Sequence, residues 1–271
     1  GFIGSEAIRT LTSLGYNVFN VDKLTYASSN ESLKLINKNN YTFYEGDIAD
    51  EVTISDFIRE ISPQYILNFA AESHVDRSIE NADDFVNTNI LGTYNLLKCS
   101  SEILSNLISD NNFRFIHVST DEVYGSLGFD DRPFNEDSSF KPNSPYSASK
   151  ASSDMLVRSW IKTYNFPAII THSSNNYGPW QFPEKLIPRS VLCALNEQPI
   201  QIYGDGSNIR DWIFVEDNVL AIIELMKNGN IGETYNIGSK NEISNIDLVK
   251  EICSILDDMK PRNNGSYADL I

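Results

Sequence analysis

The stretch FRFIHVSTDE, from Phe113 to Glu122, decides how the rest of the chain is read. Phe113–Val118 is a short, mostly apolar run that stops at Ser119, Thr120, Asp121 and Glu122. A run of that length, bounded by polar residues, suits a strand buried on both faces. Outward from it the same texture recurs at Asn17–Val21, Tyr41–Glu45, Tyr65–Phe69 and Ala168–His172. Longer stretches with helical spacing lie between, at Ser5–Leu14, Val52–Ile61, Asp84–Leu107 and Pro145–Tyr164. This alternation predicts an α/β fold, a doubly wound parallel sheet with helices on both faces. Ligands of such sheets sit at the carboxyl ends of the strands, where the Ser119–Glu122 cluster falls.

After Asn175 the texture changes. Gly178, Pro179, Pro183, Pro188, Pro199, Gly204 and Gly206 crowd the sequence, and the regular patterns shorten. A helix at Val215–Lys227 and a strand at Thr234–Ile237 are expected to rejoin the first domain. Residues 1–174 with about 212–237 are therefore expected to form a dinucleotide-binding domain. Residues about 175–211 and 238–271 should form a smaller, loop-rich lobe.

Bulk composition excludes several classes. With 37 acidic against 21 basic residues the net charge is −16, which disfavours non-specific binding to nucleic acid or an anionic membrane. The longest apolar runs fall short of a membrane span, and no signal-peptide pattern occurs, so a cytoplasmic protein is expected. Cys99, Cys193 and Cys253 are scattered without metal-ligand spacing, so neither a disulfide framework nor a metal site is expected. The chain opens with Gly1-Phe2-Ile3-Gly4 and enters a helical pattern directly. A nucleotide-binding fold places a buried strand before that point, so truncation of the N-terminus is expected.

Gly1 and Gly4 read as the tail of a phosphate-binding turn, where missing side chains let backbone N–H groups approach a pyrophosphate. Asp22 ends the next strand pattern, where a carboxylate can accept hydrogen bonds from an adenosine ribose. That acid favours NAD over NADP, whose extra phosphate it would repel. Asp47 follows the next strand, and Ala70 and Ala71 the one after. An acid there can hold the adenine amino group, and small residues leave room for the cofactor.

The chemistry centres on Tyr146-Ser-Ala-Ser-Lys150. On a helix, positions i and i+4 share a face, so phenol and ammonium can converge on one ligand. Ser144 and Pro145 suit the N-cap and first turn, placing Tyr146 at the helix start. Lowering a phenol from pKa ~10 to working pH takes about 3 units, or ~4 kcal/mol. A nearby ammonium and a cationic nicotinamide have the right sign for that. A second pair with this spacing, Tyr94 and Lys98, lacks an adjacent polar cluster and reads as a packing residue and a surface charge. The first pair has Asp121 and Glu122 as company, two carboxylates able to divide acid and base roles. His74, His117 and His172 form no metal set and read as structural.

Several stretches then act together. Ala70-Ala-Glu-Ser-His-Val-Asp-Arg-Ser78, Ser119-Thr-Asp-Glu-Val-Tyr-Gly125, Pro145-Tyr-Ser-Ala-Ser-Lys150, Ser174-Asn-Asn-Tyr-Gly-Pro179 and the segment from Phe182 to Pro188 resemble the dTDP-glucose 4,6-dehydratase family. Val21-Asp-Lys-Leu-Thr-Tyr-Ala27 does too, so the resemblance spans essentially the whole chain. This family belongs to the extended short-chain dehydrogenases/reductases. The resemblance implies a Rossmann-like fold, here without its first strand, and a C-terminal lobe for a nucleotide sugar. It also implies a segment beyond Ile271, a homodimer, and NAD as cofactor.

By the same resemblance Tyr146, with Thr120 and Lys150 assisting, takes the C4 hydroxyl proton while hydride passes to NAD. Glu122 then removes the C5 proton and Asp121 protonates the departing C6 hydroxyl, giving a 4-keto-6-deoxy sugar. NAD contacts are implied for Gly1, Phe2, Ile3, Gly4, Asp22, Lys23, Leu24, Thr25, Asp47, Ile48, Ala70, Ala71, Thr88, Tyr146, Lys150 and Asn176. Substrate contacts are implied for Ser73, Thr120, Asn175, Lys185, Leu186, Arg210 and Asn245. Three alternatives stay open: the same reaction on UDP-glucose or another nucleotide-glucose, a 4-epimerase or decarboxylase, and a silent nucleotide-sugar or NAD binder. The Asp121–Glu122 pair speaks against the second, and the intact Tyr146 and carboxylates against the third.

Overall fold

A computed structural model describes residues 1–271 except 35, 37, 129 and 130. In chain order, helix α1 (Phe2–Ser13) leads into strand β1 (Val18–Asp22), then β2 (Tyr41–Glu45), α2 (Glu51–Ile61) and β3 (Tyr65–Asn68). Short helices α3 (Val75–Glu80) and α4 (Asp83–Phe85) precede a π-helical segment, Val86–Gly92, and α5 (Thr93–Ile103). Helix α6 (Ser105–Ser109), β4 (Arg114–Thr120), α7 (Pro145–Tyr164) and β5 (Ala168–Ser173) follow. The remainder is β6 (Asn175–Tyr177), α8 (Leu186–Leu195), β7 (Ile209–Phe214), α9 (Val215–Asn228), β8 (Thr234–Ile237), β9 (Glu242–Ser244) and α10 (Asn245–Met259).

Two compact units divide these elements. The larger comprises Ile3–Ser173 and Glu216–Ile237, with Gly1. Within it β1 and β2 pair in parallel, and β3, β4, β5 and β8 form a four-stranded parallel sheet in that order. This is the α/β, Rossmann-like class expected from the alternation. Strands β4 and β5 are buried almost throughout, which is why they read as continuous apolar runs. Phe113, Phe115, Phe166, Leu97, Ile54, Ile58 and Val157 pack into one core, each contributing about 1.5–3 kcal/mol by burial.

The smaller unit comprises Ser174–Val215 and Gly238–Ile271, with Phe2. Its three-stranded sheet runs β6–β7–β9, the first pair parallel and the second antiparallel. The expectation of a loop-rich lobe needs correction, because α8 and α10 are regular helices over a core of Ala194, Ile200, Val249, Cys253 and Tyr267. Proline masked the first of them: Pro188 is the third residue of α8, and a first-turn proline forfeits no hydrogen bond.

The long helix expected over Asp84–Leu107 is also corrected. It breaks into α4, the π-helical segment, α5 and α6. The widened turn ends at Gly92, which packs so tightly on Ile48 that an added Cβ would collide with that side chain.

Candidate active site

Helix α7 starts where it does because Ser144 and Ser147 form a reciprocal capping box and Pro145 occupies the first turn. Tyr146 and Lys150 consequently lie one turn apart, 9% and 3% exposed. Opposite them β4 ends at Thr120, whose Oγ1 caps the 3₁₀ turn Asp121–Tyr124 by accepting from the Glu122 N–H at 3.3 Å. The same hydroxyl donates to Asp121 Oδ1 at 3.4 Å and is hydrogen-bonded to the Tyr146 phenol. Gly125 closes the turn with φ +96°, a left-handed conformation in which any Cβ would collide with the Lys141 carbonyl.

Electrostatics ties the two carboxylates to the phenol. Burial first, then the negative charge of Glu122 and, more weakly, of Asp121, push the Tyr146 phenol well above its ordinary range, against the Thr120 hydrogen bond. The lowering expected of an ammonium and a cationic nicotinamide together is not produced by the ammonium alone. The Lys150 ammonium donates instead to the Val118 carbonyl at 2.7 Å. Burial drops Lys150 to about 8, with Asp154 pulling upward. The cluster by itself therefore holds a neutral phenol beside two acids. Activating that phenol takes added positive charge, of the kind a bound nicotinamide ring carries.

The residues expected to hold NAD gather in the same unit. The Gly1 amino group forms an ion pair with Asp22 Oδ2 at 3.1 Å. Asp22 Oδ1 accepts from the Leu24 N–H at 2.8 Å, fixing Leu24 in a left-handed conformation at φ 54°. Lys23 draws three segments together: its Nζ donates to Thr88 Oγ1 at 2.8 Å and lies 3.6 Å from both Asp47 and Glu72. Ile48 is buried against Gly92, and Ala70 and Ala71 follow β3 half-buried. Lys23, Thr25, Tyr26, Glu72, Arg77 and Phe85 are among the residues lining a cavity of about 360 Å³. Phe85 also meets the Tyr146 ring edge-on at 6.3 Å. The set fits a dinucleotide: Asp22 ends β1, where a carboxylate can accept from a ribose diol, and Thr88, Asp47 and Glu72 are drawn together by Lys23 beside it.

The residues expected to hold substrate fall in both units. Ser73 lies in the larger one, just before α3. In the smaller unit Asn175 and Asn176 form β6 and pair with Trp212 and Ile213 of β7. Lys185 caps α8 and Leu186 begins it, while Arg210 is exposed on β7, its Nη1 donating to the Ile209 carbonyl at 2.9 Å. Asn245 begins α10, and its side-chain oxygen is buried with no hydrogen-bond partner among the described residues.

Three groups near the site escaped the sequence reading. Asn89 bridges both backbone atoms of Glu72 and the Ser149 hydroxyl, at 2.8–3.0 Å. Glu72 flanks Lys23, and Asp154 lies one turn beyond Lys150 on α7. Only Asp154 left a local signal, its i,i+4 spacing from Lys150. The second pair behaves as read: Tyr94 packs edge-on against Trp160 at 5.9 Å, and Lys98 pairs with Glu51 at 2.8 Å. His74 caps α3, while His117 and His172 are buried in hydrogen bonds.

A tyrosine and a lysine one turn apart, set at the carboxyl ends of parallel strands, define the short-chain dehydrogenase/reductase class. Comparison with known proteins narrows it. The family described as GDP-mannose 4,6 dehydratase matches residues 1–268. A probable dTDP-glucose 4,6-dehydratase of Sinorhizobium fredii is 50% identical, covering 100% of this chain and 78% of its own. Among solved structures, dTDP-glucose 4,6-dehydratase of Bacillus anthracis in complex with NAD is 42% identical with TM-score 0.83, covering 94% of this chain and 78% of its own. The Streptomyces venezuelae enzyme with NAD bound is 39% identical with TM-score 0.87, covering 97% and 79%. The chain belongs to the dTDP-glucose 4,6-dehydratase family.

Proposed function

We propose that this protein dehydrates dTDP-glucose to dTDP-4-keto-6-deoxyglucose, with NAD as a cofactor restored in every turnover. The observation that carries the reading is the placement of Tyr146 and Lys150 one turn apart on α7, with Lys150 bonded to the end of β4, where Thr120 leads into the turn of Asp121 and Glu122. Bound NAD supplies a hydride acceptor and donor, which makes the net reaction redox-neutral.

The side chains supply the proton transfers. Tyr146 takes the C4 hydroxyl proton, with the Thr120 hydroxyl donating to the same oxygen and the Lys150 ammonium stabilising the phenolate. A C4 ketone acidifies the neighbouring C5–H. Glu122 accepts that proton, and Asp121 gives one to the C6 hydroxyl, which departs as water. Elimination needs a base and an acid together, and adjacent carboxylates in one field can take opposite protonation states. Epimerisation at C4 requires no such pair.

Gly1, Phe2, Ile3, Gly4, Asp22, Lys23, Leu24, Thr25, Asp47, Ile48, Ala70, Ala71, Thr88 and Asn176 are proposed to hold NAD. Ser73, Asn175, Lys185, Leu186, Arg210 and Asn245 are proposed to hold the nucleotide sugar; a guanidinium such as that of Arg210 can grip a diphosphate at two points. A homodimer working in the cytoplasm completes the reading. Leu91 and Met155, 42% and 49% exposed, give the helical face of the larger unit apolar side chains that a second copy would cover.

Incubation with NAD and dTDP-glucose, followed by the alkaline absorbance of the keto sugar, tests the assignment. Conversion of dTDP-glucose well ahead of UDP-glucose is expected. Preference for UDP-glucose, or conversion of neither, would overturn it.

A further inference from the structure

Below the site, α7 carries a second ionised group that the proposed reaction does not use. Asp154 is 1% exposed and follows Lys150 by one helical turn. Its Oδ2 accepts from Ser119 Oγ at 2.9 Å and lies 3.0 Å from His172 Nε2, while Oδ1 lies 3.3 Å from His117 Nε2. The network continues outward. His117 also meets Ser153 Oγ at 3.1 Å and Asn68 Nδ2 at 3.3 Å. His172 Nδ1 lies 2.6 Å from the Tyr124 hydroxyl, which reaches Asn236 at 2.8 Å.

A buried carboxylate persists only where donors and an opposite charge compensate for lost water. The donors are Ser119 and His172, while His117 Nε2 lies 3.3 Å from Oδ1, which accepts no hydrogen bond among the described residues. His117 is not the opposite charge, because burial and then the Lys150 ammonium depress it to about 4. Burial works to raise Asp154, yet the neighbouring imidazoles of His117 and His172 outweigh it and hold the carboxyl below the usual range. One helical turn before it on α7 lies the Lys150 ammonium, and Asp154 is what pulls that group upward against burial.

We propose that Asp154 is a positioning residue for the dehydration, supplying the fixed negative charge that balances the Lys150 ammonium one helical turn before it. This rests on the roles assigned above to Tyr146 and Lys150. Titratable and charged groups face the carboxylate from each packed element: Lys150 and Tyr146 on α7, His117 on β4, His172 on β5, and Tyr124 on the 3₁₀ turn, and the Asp154 charge also weakly raises the Tyr146 phenol. Asp121 and Glu122 lie farther out, around Tyr146. Without the Asp154 charge, burial acts on Lys150 unopposed, and the ammonium that supports the Tyr146 phenolate is lost at lower pH.

The test is the pH dependence of kcat/KM for dTDP-glucose with NAD-loaded protein. The alkaline limb should move down by about 1 pH unit or more in Asp154→Asn, with activity recovering toward the acid side. In a Lys150→Arg background, whose guanidinium stays charged, the same substitution should leave the limb in place. An active wild type whose limb does not move in a folded Asp154→Asn variant would overturn the inference alone. If that variant does not fold, Asp154→Glu decides: it keeps the charge and should keep the limb, and a downward shift there overturns the proposal. An inactive wild type would remove the dehydratase reading and this inference together.

Discussion

The Lys150 ammonium donates a 2.7 Å hydrogen bond to the carbonyl of Val118, two residues before Thr120. One contact thereby fastens the catalytic end of α7 to the end of β4. It sets Tyr146 across from Thr120 and ties the ammonium to the strand that delivers both carboxylates. Small changes around this contact should have separable consequences.

Tyr146→Phe removes the proposed proton acceptor while keeping the ring, which packs against Phe85. Turnover should fall about 10²–10⁴-fold, the usual range for a general acid–base group. Product formation, measured beside an unchanged circular dichroism spectrum, checks this. A loss under tenfold would move the base elsewhere.

Glu122→Gln and Asp121→Asn should fail at different steps. In deuterated water, Glu122→Gln should neither exchange the C5 hydrogen nor form product. Asp121→Asn should still exchange C5 while eliminating water about 10²-fold more slowly. Mass spectrometry of recovered sugar nucleotide separates the two, and the opposite assignment would interchange the patterns.

Gly125→Ala should destabilise the protein by about 1–3 kcal/mol, because the residue combines left-handed backbone with contact against the Lys141 carbonyl. Its turn carries Asp121 and Glu122, so activity should drop even in the folded fraction. Thermal unfolding together with activity per folded molecule reports both effects.

Stability should fall as the pH drops below neutrality. Burial, then Lys150, depresses His117 to about 4, whereas a histidine in the unfolded chain titrates near ~6.5. Between those values the unfolded chain binds a proton that the fold refuses. Stability is thus fully present above pH ~6.5 and declines by about 3 kcal/mol as pH falls toward 4. Asp154, held below the usual carboxylate range, adds stability that is complete above ~3.9 and lost only at lower pH. Urea midpoints measured across this range should show the first slope, and His117→Gln should flatten it.

Much of this molecule was legible from local pattern. Strands Tyr41–Glu45 and Thr234–Ile237 and helix Pro145–Tyr164 fall where periodicity and the Ser144–Pro145 start put them. The helix at Asn245–Met259 was also there to be read, since Ser244 caps it by accepting from the Asp247 N–H. The density of proline and glycine before it obscured that signal.

Residue order by itself fixed the alternation of strand and helix, the tyrosine–lysine face, and the acids at a strand end, because these depend on chain neighbours and on helix and strand repeats. Tertiary packing decided the rest. The π-helical turn at Val86–Gly92 packs its glycine against Ile48, far off in sequence, and Lys23 meets Thr88 only across 65 residues of chain. The raised phenol of Tyr146 and the lowered ammonium of Lys150 arise from lost water, and what loses water is set by the side chains that close around it, not by the residues beside it in sequence.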